Sequence, residues 1–120
     1  MREQIARAIR AALPNFLEEH GLEDPYDINC GLCEEFAIEI IDQLGGETET
    51  LCMVWIEDVV DTPFPDASHA VICLVVDETY IYFDCECPEG TTDLRQIPAM
   101  KNQGKSRGDV LAERGTFCCG

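Results

Sequence analysis

Apolar residues recur at helical spacing near the N-terminus, and further on the pattern changes to short apolar runs. Over residues 3–13, Ile5, Ile9, Ala12 and Leu13 fall on one stripe, which Phe16 and Leu17 extend. Pro14 lacks an amide proton and crowds the preceding turn, so it is expected to kink this helix or start a second short turn. The segment HGLEDPYDINCG is rich in Gly, Pro, Asp and Asn and reads as a loop. From Leu32 to Leu44 the helical pattern returns. Cys33, Phe36, Ala37, Ile40, Ile41 and Leu44 share one face, and Glu34, Glu35, Glu39 and Asp42 the other. Glu34 and Glu35 suit the positive end of a helix, and Gly45-Gly46 ends it. This places Cys33 in the first turn on the buried face, with Cys30 outside in the loop.

Three strands are predicted next. LCMVWI (51–56) is short and apolar, and DTPFPDAS after it is a proline-bearing loop. HAVICLVV (69–76) is apolar on both faces, as a central strand covered on both sides would be. YIYFDC (80–85) follows a tight turn at Asp77-Glu78-Thr79, which makes an antiparallel hairpin. After PEGTTDL the periodicity is lost. KNQGKSRG reads as a flexible, locally basic loop, and DVLAERG as one last helical turn. There are no internal repeats and no linker, and 120 residues suit one hydrophobic core. The expected fold class is α+β: a single domain over 1–120, with N-terminal helices packed on a small antiparallel sheet.

Composition narrows the classes. No apolar run approaches the ~20 residues that cross a bilayer. MREQIARAIRAAL is amphipathic and interrupted by charge, unlike a signal peptide, so a cytoplasmic protein without membrane contact is expected. A formal charge of -16 repels nucleic acid phosphates and disfavours sequence-independent DNA or RNA binding. Eight cysteines without a secretory signal are expected to be reduced. Cys52 and Cys73 lie inside apolar runs, where cysteine acts as a small hydrophobe, and are expected to be buried and unpaired.

Candidate chemistry gathers around the second histidine. His20 falls at a helix C-terminus, a structural place where its charge suits the dipole. His69 opens a buried strand directly after a loop. Asp84 interrupts an aromatic strand, where a charge is costly unless paired. If the hairpin turns through two residues, Val76 faces Thr79 and Asp84 lies opposite Val71. His69 and Asp84 then share a face as diagonal neighbours, roughly 7–8 Å apart at the backbone. A four-residue loop would move them further apart, and a three-residue loop would separate their faces. A helix N-terminus lowers the pKa of a cysteine such as Cys33. A histidine opposite takes the proton, and a carboxylate fixes the imidazole's tautomer. The Cys33 backbone N–H, with Asn29 as a second donor, would stabilise an oxyanion.

The order of Cys at a helix start, His at a strand start and Asp at the end of the next strand resembles the papain-like fold superfamily. The similarity is to its small transglutaminase-like and NlpC-type cysteine hydrolases. GLCEEFA resembles the nucleophile segment, Gly-x-Cys-x-x-Phe-Ala. SHAVICLVVDETYIYFDCECPEG resembles the run of His, buried strand, short turn, aromatic strand, Asp and Pro-Gly exit. The likeness covers about residues 26–90. It implies a thiol-dependent hydrolase or acyl transferase acting on a peptide, isopeptide or amide bond, with a protein or peptide substrate and no cofactor. Cys33 would be the nucleophile, His69 the base and Asp84 the orienting acid. Papain carries a glutamine six residues before the nucleophile as an oxyanion donor; here that position is Asp27, and Asn29 is the expected substitute. Cys30 would be a loop cysteine near the site, placed for a regulatory disulfide with Cys33.

Two other classes compete. Cys30-x-x-Cys33 and Cys85-x-Cys87 could supply four thiolates to a structural zinc ion, although C-x-C closes a tetrahedron poorly and leaves His69 and Asp84 unexplained. A non-catalytic acidic interaction protein, of the kind phages encode, would account for the charge.

Overall fold

The structure, a computed structural model, describes residues 1–103 and 105–117. Cys118 and Cys119 lie outside the described residues. Three helices come first: α1 (Arg2–Glu19), α2 (Pro25–Asn29) and α3 (Cys33–Gln43). Four strands follow, β1 (Leu51–Trp55), β2 (Ala70–Val76), β3 (Thr79–Asp84) and β4 (Cys87–Thr91), and then α4 (Pro98–Lys101) and α5 (Arg107–Phe117). The strands form one antiparallel sheet in the order β1-β2-β3-β4. The α+β class is the expected one. Among the described residues, no helix is long and apolar enough to cross a membrane.

The sheet has a core on each face, which is why β2 is apolar throughout. On one side Ile72, Leu74, Ile81 and Phe83 pack with Ile5, Ile9 and Phe16 of α1 and with Phe36, Ile40 and Ile41 of α3. On the other, Val71, Cys73 and Tyr82 pack against Ile56, Leu94, Ile97 and Met100. That second layer is a pair of short turns, Leu94–Gln96 and α4, too brief to leave a periodic signature in the sequence.

α1 runs on through Pro14 instead of stopping there. Leu13, Phe16 and Leu17 join the same core as Ile5 and Ile9, so burial beyond the proline holds the helix together. His20 caps the end, its ring 4.3 Å from that of Phe16 between centroids. The segment read as a loop contains α2. Asp24 accepts a hydrogen bond from the Tyr26 N–H at 2.8 Å, and Pro25 takes the first helical position, a start signal that its Gly and Asn neighbours masked. β4 was also missed: with Pro88, Glu89 and Gly90 in five residues it has no alternation. It lies at the sheet edge, where proline is tolerated. Arg2 covers it by donating to the carbonyls of Glu89 (2.8 Å) and Gly90 (2.9 Å). The final helical turn is the longer α5.

The β2–β3 hairpin sets the register of the site. Val76 pairs with Thr79, leaving Asp77 and Glu78 as the two-residue turn, with φ of 50° and 64°. Positive φ at both positions marks a turn whose twist matches the strands.

Candidate active site

Cys33 is the first residue of α3, and its sulfur faces the start of β2, where the Ala70 N–H donates to Sγ at 3.5 Å. The apolar face of α3 produces this placement. Phe36, Ala37, Ile40 and Ile41 must enter the core, which turns the residue one helical turn earlier toward the sheet.

His69 is 3% exposed and Asp84 4%. His69 Nε2 hydrogen-bonds Asp84 Oδ2 at 2.9 Å, a contact that the two-residue turn allows. This leaves Nδ1 for the thiol. Asp84 Oδ1 accepts the Glu86 N–H at 2.9 Å, so both oxygens are engaged. The His69 backbone is held on both sides by a 3₁₀ turn at Ile56–Asp58. Its carbonyl accepts from Ile56 N–H at 2.9 Å, and its N–H donates to Glu57 Oε1 at 3.3 Å. Glu57 was not singled out in the sequence, because an acid in a loop carries no signal of what it will brace.

Burial pulls His69 down, but the hydrogen bonds and charges of Asp84 and Cys33 outweigh it and raise the imidazole to about 9. Burial also opposes the Cys33 thiolate; hydrogen bonds from His69 and the Ala70 N–H outweigh it and bring Cys33 below an ordinary thiol. The other shifted cysteines move the opposite way. Burial raises Cys52 and Cys87, raises Cys85 strongly, and pushes Cys73 up to about 11. Cys73 is buried as expected, whereas Cys52 is only half-buried, because β1 is an edge strand. They face each other across the two strands, and both are free thiols.

Asn29, at the end of α2, is fixed by the turn between β3 and β4. Its Nδ2 donates to Glu86 Oε1 at 2.8 Å, and its Oδ1 accepts from the Cys85 thiol at 3.3 Å. The Pro25 carbonyl also lies 3.3 Å from the Cys85 sulfur, so the single S–H is shared between the two oxygens. Asp27 is taken up by Arg107 of α5 in a two-pronged pair of 2.7 and 3.0 Å. That guanidinium holds its carboxyl below the usual range. Cys33, Asn29, Glu34, Glu35, Trp55 and Ser68 line a groove of about 420 Å³. Exposed Cys30 is also on its wall. Among the described residues, no three His, Cys, Asp or Glu side chains are gathered to hold a metal ion, so the four thiolates considered for zinc do not converge.

Cys33, His69 and Asp84 are thus brought together under the two-residue turn, and Asn29 stands at the same groove. In comparisons with known proteins, the chain matches no family model, no curated protein and no solved structure.

Proposed function

We propose that this protein is a thiol-dependent hydrolase or acyl transferase acting on an amide bond of a peptide or protein. Cys33 is the nucleophile, His69 the proton carrier and Asp84 the orienting carboxylate, the order and placement seen in papain-like enzymes. The observation that carries this reading is the buried 2.9 Å bond between His69 and Asp84, set beside a cysteine whose thiol lies below its ordinary value. A buried charged pair is costly as plain structure. One that also lowers a groove cysteine has a chemical use.

The thiolate attacks the carbonyl carbon, forming an S–C bond and a tetrahedral oxyanion. The Cys33 N–H, one of the free amides at the start of α3, and the second amide proton of Asn29 stabilise that charge. As the C–N bond breaks, the imidazolium of His69 gives its proton to the leaving amine. Water, or an acceptor amine, then loses a proton to His69 and attacks the thioester, releasing the acyl group and restoring the thiolate–imidazolium pair.

Iodoacetamide titration with peptide mapping tests the nucleophile. Cys33 is expected to react first of the eight cysteines, at pH values where an ordinary thiol of pKa ~8.5 is mostly protonated. Preferential labelling of Cys52, Cys73 or Cys85 would sink the reading.

A further inference from the structure

The groove that holds Cys33 has charge of one sign. Glu34 and Glu35 line it, and among the described residues no lysine or arginine does. Glu86 is bonded to the Asn29 side chain on the same wall. Arg107, a cation held against α2, has its guanidinium on Asp27. The half-buried indole of Trp55 supplies an aromatic surface beside the carboxylates. Two acids at a free helix end would be only a solvated surface. Here they share about 420 Å³ with a nucleophilic sulfur, so whatever reaches the sulfur passes them.

Resting on the hydrolase reading above, we infer that this groove selects acyl substrates with a cationic side chain, lysine or arginine, next to the scissile carbonyl. Carboxylates attract the cation at close range, an indole face attracts it through its quadrupole, and the charge of the whole molecule steers it toward the surface. An anionic acyl group meets repulsion from the same sources. Partly exposed pairs are weak singly, about fivefold each at best. Two carboxylates and an indole together are expected to give a preference of about tenfold.

The test uses p-nitrophenyl esters of Nα-acetyl-lysine, Nα-acetyl-norleucine and Nα-acetyl-glutamate, which present a cation, a neutral near-isostere and an anion. Attack by the Cys33 thiolate forms the thioester and expels p-nitrophenolate; water then releases the acetyl-amino acid. The rate of p-nitrophenolate release is measured, and intact mass and peptide mapping locate the acyl group. The expected order is lysine about tenfold above norleucine, with glutamate slowest. The lysine advantage should shrink between about 0.02 M and about 0.5 M salt, and also in the double variant E34Q/E35Q. Equal acylation of Cys33 by all three esters overturns the inference and leaves the hydrolase reading standing. So does a lysine advantage that E34Q/E35Q does not reduce. If no ester acylates Cys33, both fall.

Discussion

Asp84 uses both of its oxygens, one on His69 and one on the Glu86 N–H. Asparagine has a single carbonyl oxygen, so in Asp84→Asn one of those donors must face an NH2 group. The substitution also removes the charge that lifts His69. The proposed amide hydrolysis would need Cys33 deprotonated and His69 protonated. Its pH window in the native protein should therefore open below the ordinary thiol value and close near pH 9. In Asp84→Asn burial is less opposed, and the alkaline limb should fall toward ~6.5, measured as kcat/KM against pH with the p-nitroanilide of Nα-acetyl-lysine, whose leaving amine needs the proton of His69. An alkaline limb left near its native position would show that Asp84 does not govern the ring. His69→Ala acts on the other limb. With the imidazolium gone, the iodoacetamide midpoint of Cys33 should rise to ~8.5 or above, since burial then raises the thiol with only the backbone N–H groups of Ala70 and Glu34 against it. An unchanged midpoint would rule out the ion pair. That variant strands a buried carboxylate, at a cost of about 3–5 kcal/mol, so His69→Gln, which keeps a donor, is the companion measurement.

The elements that carry the site were the ones most readable in the sequence. α3 has an uninterrupted apolar face ended by two glycines, and β2 is apolar on both sides because two cores press on it. The pairing of His69 with Asp84 could be read only conditionally, since it depends on a turn whose length the pattern does not reveal. The parts that escaped, α2, β4 and the Leu94–Lys101 layer, are each five residues or fewer per element. Tertiary contacts, not periodicity, hold them. Glu57 and Glu86, which brace His69 and Asn29, were invisible for the same reason. The turn itself is open to test. Asp77 and Glu78 both sit at positive φ, where side chains with a Cβ are disfavoured and Asn-Gly is the preferred pair. The double substitution Asp77→Asn, Glu78→Gly should stabilise the protein by about 1–2 kcal/mol, seen as a higher urea midpoint. A loss of stability would mean that the hairpin does not turn through these two residues, and the register linking His69 to Asp84 would go with it.

Across the whole molecule, charge works against the compact state. Twenty-four acids face eight lysines and arginines on a body measuring 38 × 32 × 23 Å. The arginines with carboxylate partners, Arg10 on Glu89, Arg95 on Asp93 and Arg107 on Asp27, are about half exposed or more, and such pairs contribute little. The carboxylates that remain repel one another at distances where salt matters, because the screening length is ~10 Å at 0.1 M. Added salt therefore weakens a few attractions and many repulsions. The prediction is that raising NaCl from about 0.02 M to about 0.5 M stabilises the fold by on the order of 1 kcal/mol, or about 4 °C in Tm for a domain of this size. The His69–Asp84 pair is shielded from this effect by burial, so the alkaline limb of the proposed hydrolysis should stay in place over the same salt range. Melting that is unchanged or lowered by salt would show that ion pairing outweighs repulsion. The acidic surface would then stabilise the fold, and the steering inferred above for cationic substrates would be a by-product of that stability.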